Sequence, residues 1–319
     1  MTEDRVTAFA ADIAASSDSL AASLAAWGST VEPIEPARRI CFAGLGSSRF
    51  GAMVVAADMQ AHGRTAWVEH ATGSAVGDGP GSGTQPAEDL AFVAISSSGR
   101  TTEVIEAARA HRGRSLVIAV TNRPDSPLAD VADRVVTLGA GEETSGIAAR
   151  TFRATIAGLA LLVGTDPRDL AALPDALADR YATASAWATS AADRLDRPPA
   201  IDVLAPAGLL GIAEQAALML REAPRLPAHA FETADWLHVG VYLAWPGHRL
   251  VRFAGSPADA ELDGVAARRG VEIVDIAADS DGPSGPIRDA IVRSIDAELL
   301  AVELWRRTAA GTTVGDKST

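Results

Sequence analysis

The chain has 319 residues, 48% of them hydrophobic, which excludes a disordered polypeptide and exceeds what a single core usually organises. Its 28 Lys and Arg against 41 Asp and Glu leave a net charge of −13, which excludes a nucleic-acid binder that must neutralise many phosphates with a basic surface. Lys317 is the sole lysine, so an anionic ligand has to be met by arginine, backbone amides, hydroxyls or that one residue.

The apolar residues Val6, Phe9, Ile13, Leu20, Leu24 and Trp27 recur near helical spacing and predict a helix over 2–27, broken by Pro33 and Pro36. The predicted elements then alternate: strand 40–43, helix 50–62, strand 65–69, strand 90–95, helix 102–112, strand 116–120, strand 134–138 and helix 147–163. Strands separated by helices point to a parallel sheet covered on both faces. Residues 71–87, rich in Gly, Ser and Pro, read as a surface loop. A helical segment over 166–195 ends at Arg197-Pro198-Pro199, and the order repeats: strand 201–205, helix 209–222, strands 228–231 and 250–253, helix 257–269, strand 271–276, helix 287–307. The halves read as divergent copies of one α/β motif. Cys41, the sole cysteine, lies in a strand entering a core and reads as a buried structural thiol. The acidic N-terminal residues and the shortness of the longest apolar run, 154–163, predict a cytoplasmic protein without a membrane partner.

In an open parallel sheet, ligands sit beyond the carboxyl ends of the strands. Two strand-to-helix junctions stand out there. Gly44-Leu-Gly46-Ser47-Ser48 follows the first strand, with glycines that admit an anion and hydroxyls that could bind one. Arg49 stands where a dinucleotide fingerprint needs its third glycine, so no nicotinamide cofactor is expected, and a merely tight turn is the alternative. Ser96-Ser97-Ser98-Gly99-Arg100-Thr101 follows the 90–95 strand, with four hydroxyl residues in six positions at a helix start. Ordinary capping needs one Ser or Thr; a phosphate cradle of serine hydroxyls and helix amides is the fuller reading. His229, His238, His248 and Asp235 cluster without metal-ligand spacing, so no metal is expected.

The turn at 44–48, Ser96-x-Ser-Gly-x-Thr101, Thr121-Asn122 with Ser126-Pro-Leu-Ala-x-x-Ala-Asp133, and Ala140-Gly-Glu-Glu143 resemble the sugar isomerase (SIS) domain in order and spacing. The whole chain resembles the tandem-SIS group that includes the isomerase half of glucosamine-6-phosphate synthase. The resemblance implies an α/β protein of two SIS-type αβα sandwich subdomains, with parallel sheets flanked by helices in a Rossmann-like or flavodoxin-like manner. It would comprise an N-terminal helix (1–34), a first SIS domain with the phosphate loops (35–167), and a linker helix, second degenerate SIS domain and C-terminal tail (168–319). It further implies carbohydrate metabolism and a homodimer with an active site shared between subunits.

Carried over by position, Ser48, Ser96, Ser98 and Thr101 match residues that hold the sugar phosphate, with Gly46, Ser47 and Ser97 in the same loops. Glu222 matches the glutamate that moves a proton between C1 and C2. His238 matches the histidine that opens the sugar ring, reaching a neighbouring subunit's site, and Lys317 belongs to a tail that folds over the sugar. Aldose–ketose isomerisation needs such a carboxylate, ring-opening group and cation. Other readings stay open on the residues alone: an ion pair of Glu222 with Arg221 or Arg225, a structural Asp235–His238 pair, and a solvated Lys317. The family's Ser-Thr-Lys is Ala148-Ala149-Arg150 here, its upstream glutamate and lysine are Gln215 and Met219, and its His-Gly-Pro turn is His238-Val239-Gly240. No glutaminase half is present, so a glutamine-dependent synthase on this chain alone is not expected. The expected activity is isomerisation, deamination or deglycation of a phosphorylated sugar or amino sugar; a phosphosugar sensor without turnover is the alternative.

Overall fold

The computed structural model describes residues 2–28, 30–75, 88–195, 198–277 and 285–315. The chain forms two compact units, one built from 18–142 and 150–174, the other from 1–17, 143–149 and 175–319.

The first of these is organised on five parallel strands. In chain order its elements are α2 (Ser16–Trp27, following α1, Thr2–Ala14, of the other unit), β1 (Arg39–Gly44), α3 (Ser47–Ala61), β2 (Ala66–His70), α4 (Ala71–Ala75), β3 (Leu90–Ile95), α5 (Thr102–His111), β4 (Leu116–Thr121), β5 (Arg134–Thr137), α6 (Arg150–Leu162) and α7 (Pro167–Leu170). The strand order is β2-β1-β3-β4-β5, every pair parallel. β3 is buried along its whole length, as a strand covered on both faces requires. Cys41, Phe92, Val104 and Val117 form part of the core beneath α5. Cys41 is buried there, and that burial, with Glu69 nearby, pushes its thiol far up. α3 crosses α6 closely, because Gly51 leaves room for Ile156 and Thr155.

The other unit adds α8 (Leu173–Arg194), β6 (Ile201–Ala205), α9 (Leu210–Glu222), β7 (Ala228–Glu232), α10 (Thr233–His238), β8 (Arg249–Phe253), α11 (Asp259–Arg269), β9 (Glu272–Ile276) and α12 (Pro286–Gly315). Its parallel sheet runs β7-β6-β8-β9, the order of the first four strands of the other sheet. α12 packs on α1 and α9, burying Ile287, Ile291, Ile295 and Leu299. An α/β protein of two parallel sheets flanked by helices is therefore what the alternating pattern predicted.

Three local expectations change, one being the helix over 166–195, which is two, α7 and α8, separated by a turn at Ala171 and Ala172. The 2–27 helix is two helices, because the chain turns at Ala15 and the Ser16 hydroxyl donates to the Asp12 carbonyl, the local competition that Ser offers a helix. The expected loop over 71–87 opens with α4, whose Ala71 is fully buried against the core; residues 76–87 lie outside the described residues. No described helix is long and apolar enough to cross a membrane.

Candidate functional site

In the five-stranded unit the chain leaves β1 toward β2 on one side, while β3 lies on β1's other side. The carboxyl ends of β1 and β3 thus flank the point where strand order reverses, where open α/β sheets place ligands. Both serine-bearing loops emerge there.

After β1, the chain enters α3 at Ser47, with Gly46 at φ 51° as its N-cap and no side chain capping the helix. Gly44 is required by crowding: a Cβ there would approach the Arg49 amide nitrogen to 3.2 Å and the Ile95 carbonyl oxygen to 3.3 Å. Ser47 and Ser48 are partly exposed at the helix start.

After β3, the loop is stapled to its neighbours. The Ser97 carbonyl accepts from the Asn122 amide at 3.0 Å and from the Thr121 hydroxyl at 3.2 Å, and the Gly99 carbonyl accepts from the Leu128 amide at 3.1 Å. Gly99, at φ 62°, sits on Ser126, whose Oγ would be 2.0 Å from an added Cβ. Thr101 is the N-cap of α5 yet its hydroxyl makes no capping bond; it pairs with the buried Ser96 hydroxyl at 2.9 Å. Ser98 is exposed, and its Oγ accepts from the Arg100 amide at 3.2 Å. Among the described residues the hydroxyls are therefore not spent on capping, and no N-cap side chain bonds the first amides of α3 or α5. Such a pair of uncapped N-termini with adjoining hydroxyls attracts a compact dianion. Thr121, Asn122 and Ser126, quoted in the sequence only as parts of a motif, prove to be what holds the loop.

The remaining predicted residues belong to the other unit. Glu222 ends α9 and is partly buried; burial pushes its carboxyl above the ordinary range, against the opposing influence of Arg225, Arg221 and Arg5. Among the described residues no ion pair or side-chain hydrogen bond engages Glu222, so the alternative reading of a direct ion pair with Arg221 or Arg225 is not what the geometry gives. The backbone turns immediately after it, with Arg225 at φ 61°. Gln215, two turns earlier on the same face of α9, donates to the Ala148 carbonyl at 2.9 Å.

His238 ends α10 and is exposed; among the described residues it has no side-chain partner, so the structural Asp235–His238 pair does not form either. Lys317 lies outside the described residues.

The reversal point of the four-stranded sheet, between β6 and β8, is furnished differently. The amides of Gly255 and Ser256 donate to the Asp259 carboxylate at 2.8 and 3.1 Å, so an internal anion already occupies that loop. Arg252 beside it is held by Asp275 at 2.6 Å and Asp263 at 2.8 Å.

Residues 34–163 match the SIS domain. The glutamine–fructose-6-phosphate aminotransferase (isomerizing) of Pyrobaculum aerophilum is 31% identical over 186 residues, 54% of this chain and 31% of that protein. The chain spans about three tenths of the length of the curated relatives it matches. Among solved structures, the C-terminal domain of glucosamine-fructose-6-phosphate aminotransferase from Francisella tularensis superposes with a TM-score of 0.81 at 16% identity, covering 95% of this chain and 96% of that one. Tagatose-6-phosphate ketose/aldose isomerase from Escherichia coli gives 0.78 at 17%, covering 94% and 92%. At these identities the likeness is one of fold.

Proposed function

We propose that this protein binds a phosphorylated sugar or amino sugar and interconverts its aldose and ketose forms, with deamination or deglycation as variants of the same chemistry. The observation that carries the reading is the pair of uncapped, hydroxyl-bearing helix starts at the reversal point between β1 and β3, within the segment that matches the SIS domain.

The phosphate is held by the amides of the two loops and by Ser47, Ser48, Ser96, Ser97, Ser98 and Thr101, with Gly46 admitting it to the backbone. With the phosphate fixed, the carbon chain is positioned and the proton transfer becomes effectively unimolecular. Glu222 removes the proton from C2 of the aldose, or from C1 of the ketose, and returns it to the neighbouring carbon through an enediol. A carboxyl raised by burial suits this task, since proton transfer is best served near working pH. His238 assists ring opening and acts, as in the family resembled, on the site of a second copy in a homodimer. For Lys317 the family resemblance implies the role of a cation toward the sugar. The second sheet, with its repeated strand order, is a degenerate copy of the first.

Fructose 6-phosphate and glucosamine 6-phosphate incubated with the protein in deuterated water test the reading. The expected result is deuterium at C1 or C2, slowed roughly 10²- to 10⁴-fold by Glu222→Gln. Ser98→Ala, at an exposed site, should weaken phosphate-dependent binding by about tenfold without altering stability. A second reading rests on Ala148 and Ala149, which remove two hydroxyls of the family pattern: a phosphosugar sensor, diagnosed by tight binding with no exchange at all.

A further inference from the structure

Asp202 is an acidic residue inside the apolar strand β6, 3% exposed. Its Oδ2 accepts from the indole Nε1 of Trp236 at 2.8 Å and from Nε2 of His248 at 2.9 Å. His248 is equally buried, and its Nδ1 has no partner among the described residues. The exposed His229 of β7 approaches Oδ1 at 3.6 Å. One carboxylate thus ties together β6, α10 and the turn preceding β8. A buried carboxylate with two donors is retained at a cost in desolvation, and breaking one partner leaves it uncompensated.

The group it holds most directly is Trp236, fully buried in α10. Four residues later Gly240 lies against the same indole: a Cβ at Gly240 would be 2.2 Å from Trp236 Cδ1 and 2.5 Å from Nε1. The helix itself is only six residues long and starts from Glu232, whose carboxylate accepts from the Asp235 amide at 2.9 Å. Too short to be stable through its own hydrogen bonds, it takes its geometry from these anchors. His238 stands midway between Trp236 and Gly240, so the backbone is fixed two residues before it and two after. Its own side chain is exposed and unpartnered, which leaves the backbone anchors as the means of aiming it.

We infer that Asp202 is a positioning residue for His238, acting through the Trp236 indole N–H, with Gly240 as the seat on which that indole rests. The inference rests on the reading of His238 as the ring-opening group. A group that transfers protons at a ring oxygen loses effectiveness steeply with small displacements. The carboxylate's hydrogen bond to the indole serves that alignment, because it fixes the orientation of a ring that rests on Gly240.

Trp236→Phe removes the N–H and keeps a smaller aromatic ring at the buried site; Asp202→Leu keeps a branched side chain of similar shape and removes the acceptor. Each variant, with His238→Asn and the wild type, is assayed on fructose 6-phosphate and on its 5-deoxy analogue, which has no ring oxygen and stays open. Backbone hydrogen exchange over 233–241 is followed by mass spectrometry in the same samples. We expect Trp236→Phe to lower kcat on fructose 6-phosphate by roughly tenfold, with KM and turnover of the 5-deoxy analogue changed less than about twofold, and to speed exchange over 233–241 by about tenfold while the five-stranded unit is unaffected. Asp202→Leu should reproduce the substrate split. Equal losses on both substrates, or unchanged exchange over 233–241, would overturn the inference. If His238→Asn separates the two substrates and Trp236→Phe does not, the positioning role fails alone. If His238→Asn does not separate them, the ring-opening reading fails, and the positioning role with it.

Discussion

Gly99 concentrates the demands of the proposed phosphate loop in one residue. Its φ of 62° penalises any side chain, and Ser126 fills the space that a Cβ would occupy. Gly99→Ala should therefore cost about 2–4 kcal/mol, from left-handed strain of about 1–2 kcal/mol and an overpacking term of similar size. Urea unfolding would measure that loss, and calorimetry with glucosamine 6-phosphate should show binding abolished. Glu222 makes a second prediction at this scale. Because burial raises its pKa, the ionised base accumulates only above the ordinary glutamate value of 4.5, so the acid limb of kcat/KM should lie higher than that value and vanish in Glu222→Gln. The same shift has a stability sign: the charged form is disfavoured on folding, so Glu222 opposes folding increasingly as pH rises through its unfolded pKa toward its folded one. The candidate serines and Glu222 could be named from the sequence, because hydroxyls crowded at a helix start and a carboxylate at a family position are patterns along the chain. What Gly99 and Asp202 do was not. Gly99 answers to Ser126, and Asp202 to Trp236 and His248. These partners are distant in sequence and no local period announces them. An aspartate within an otherwise apolar strand was the available signal for the latter.

At the scale of elements, α8 and α12 are joined by a bidentate pair in which Arg180 donates to both Asp296 oxygens at 2.8 and 2.9 Å, with Asp296 2% exposed. Burial pushes the Asp296 carboxyl up and Arg180 restrains it, so the aspartate is tolerable mainly because of its partner. Arg180→Met should destabilise the protein by about 3 kcal/mol, and adding Asp296→Leu should recover most of that loss, as a denaturant double-mutant cycle would show. The long elements were readable because burial imposes a pattern over many residues: β3 is apolar throughout, β6 is buried along its length and apolar but for Asp202, and α6 buries Thr151 through Leu162. Short ones were not. α4 has five residues and α10 six, too few for a period to emerge, and both are helical through what they pack on: the core at Ala71, and Asp202 through Trp236.

Over the whole molecule, a charge of −13 is compatible with the proposed anion site because that site would draw on dipoles and hydroxyls in place of a basic surface. Its affinity should consequently depend little on ionic strength: between about 0.05 and 0.5 M NaCl the Kd for glucosamine 6-phosphate should change less than about threefold, measured by calorimetry. The two sheets share a strand order, yet their reversal points are furnished oppositely, one open at Ser47 and Thr101, the other filled by Asp259. That filling makes Asp259 a permanent tenant. A free phosphate approaching Gly255 and Ser256 must evict a carboxylate tethered four residues away, whose effective concentration is of millimolar order or more. A metabolite present at micromolar levels loses that contest, so of the two reversal points among the described residues only the proposed site stays open to it, and the saturation curve should have the stoichiometry of a single site per chain.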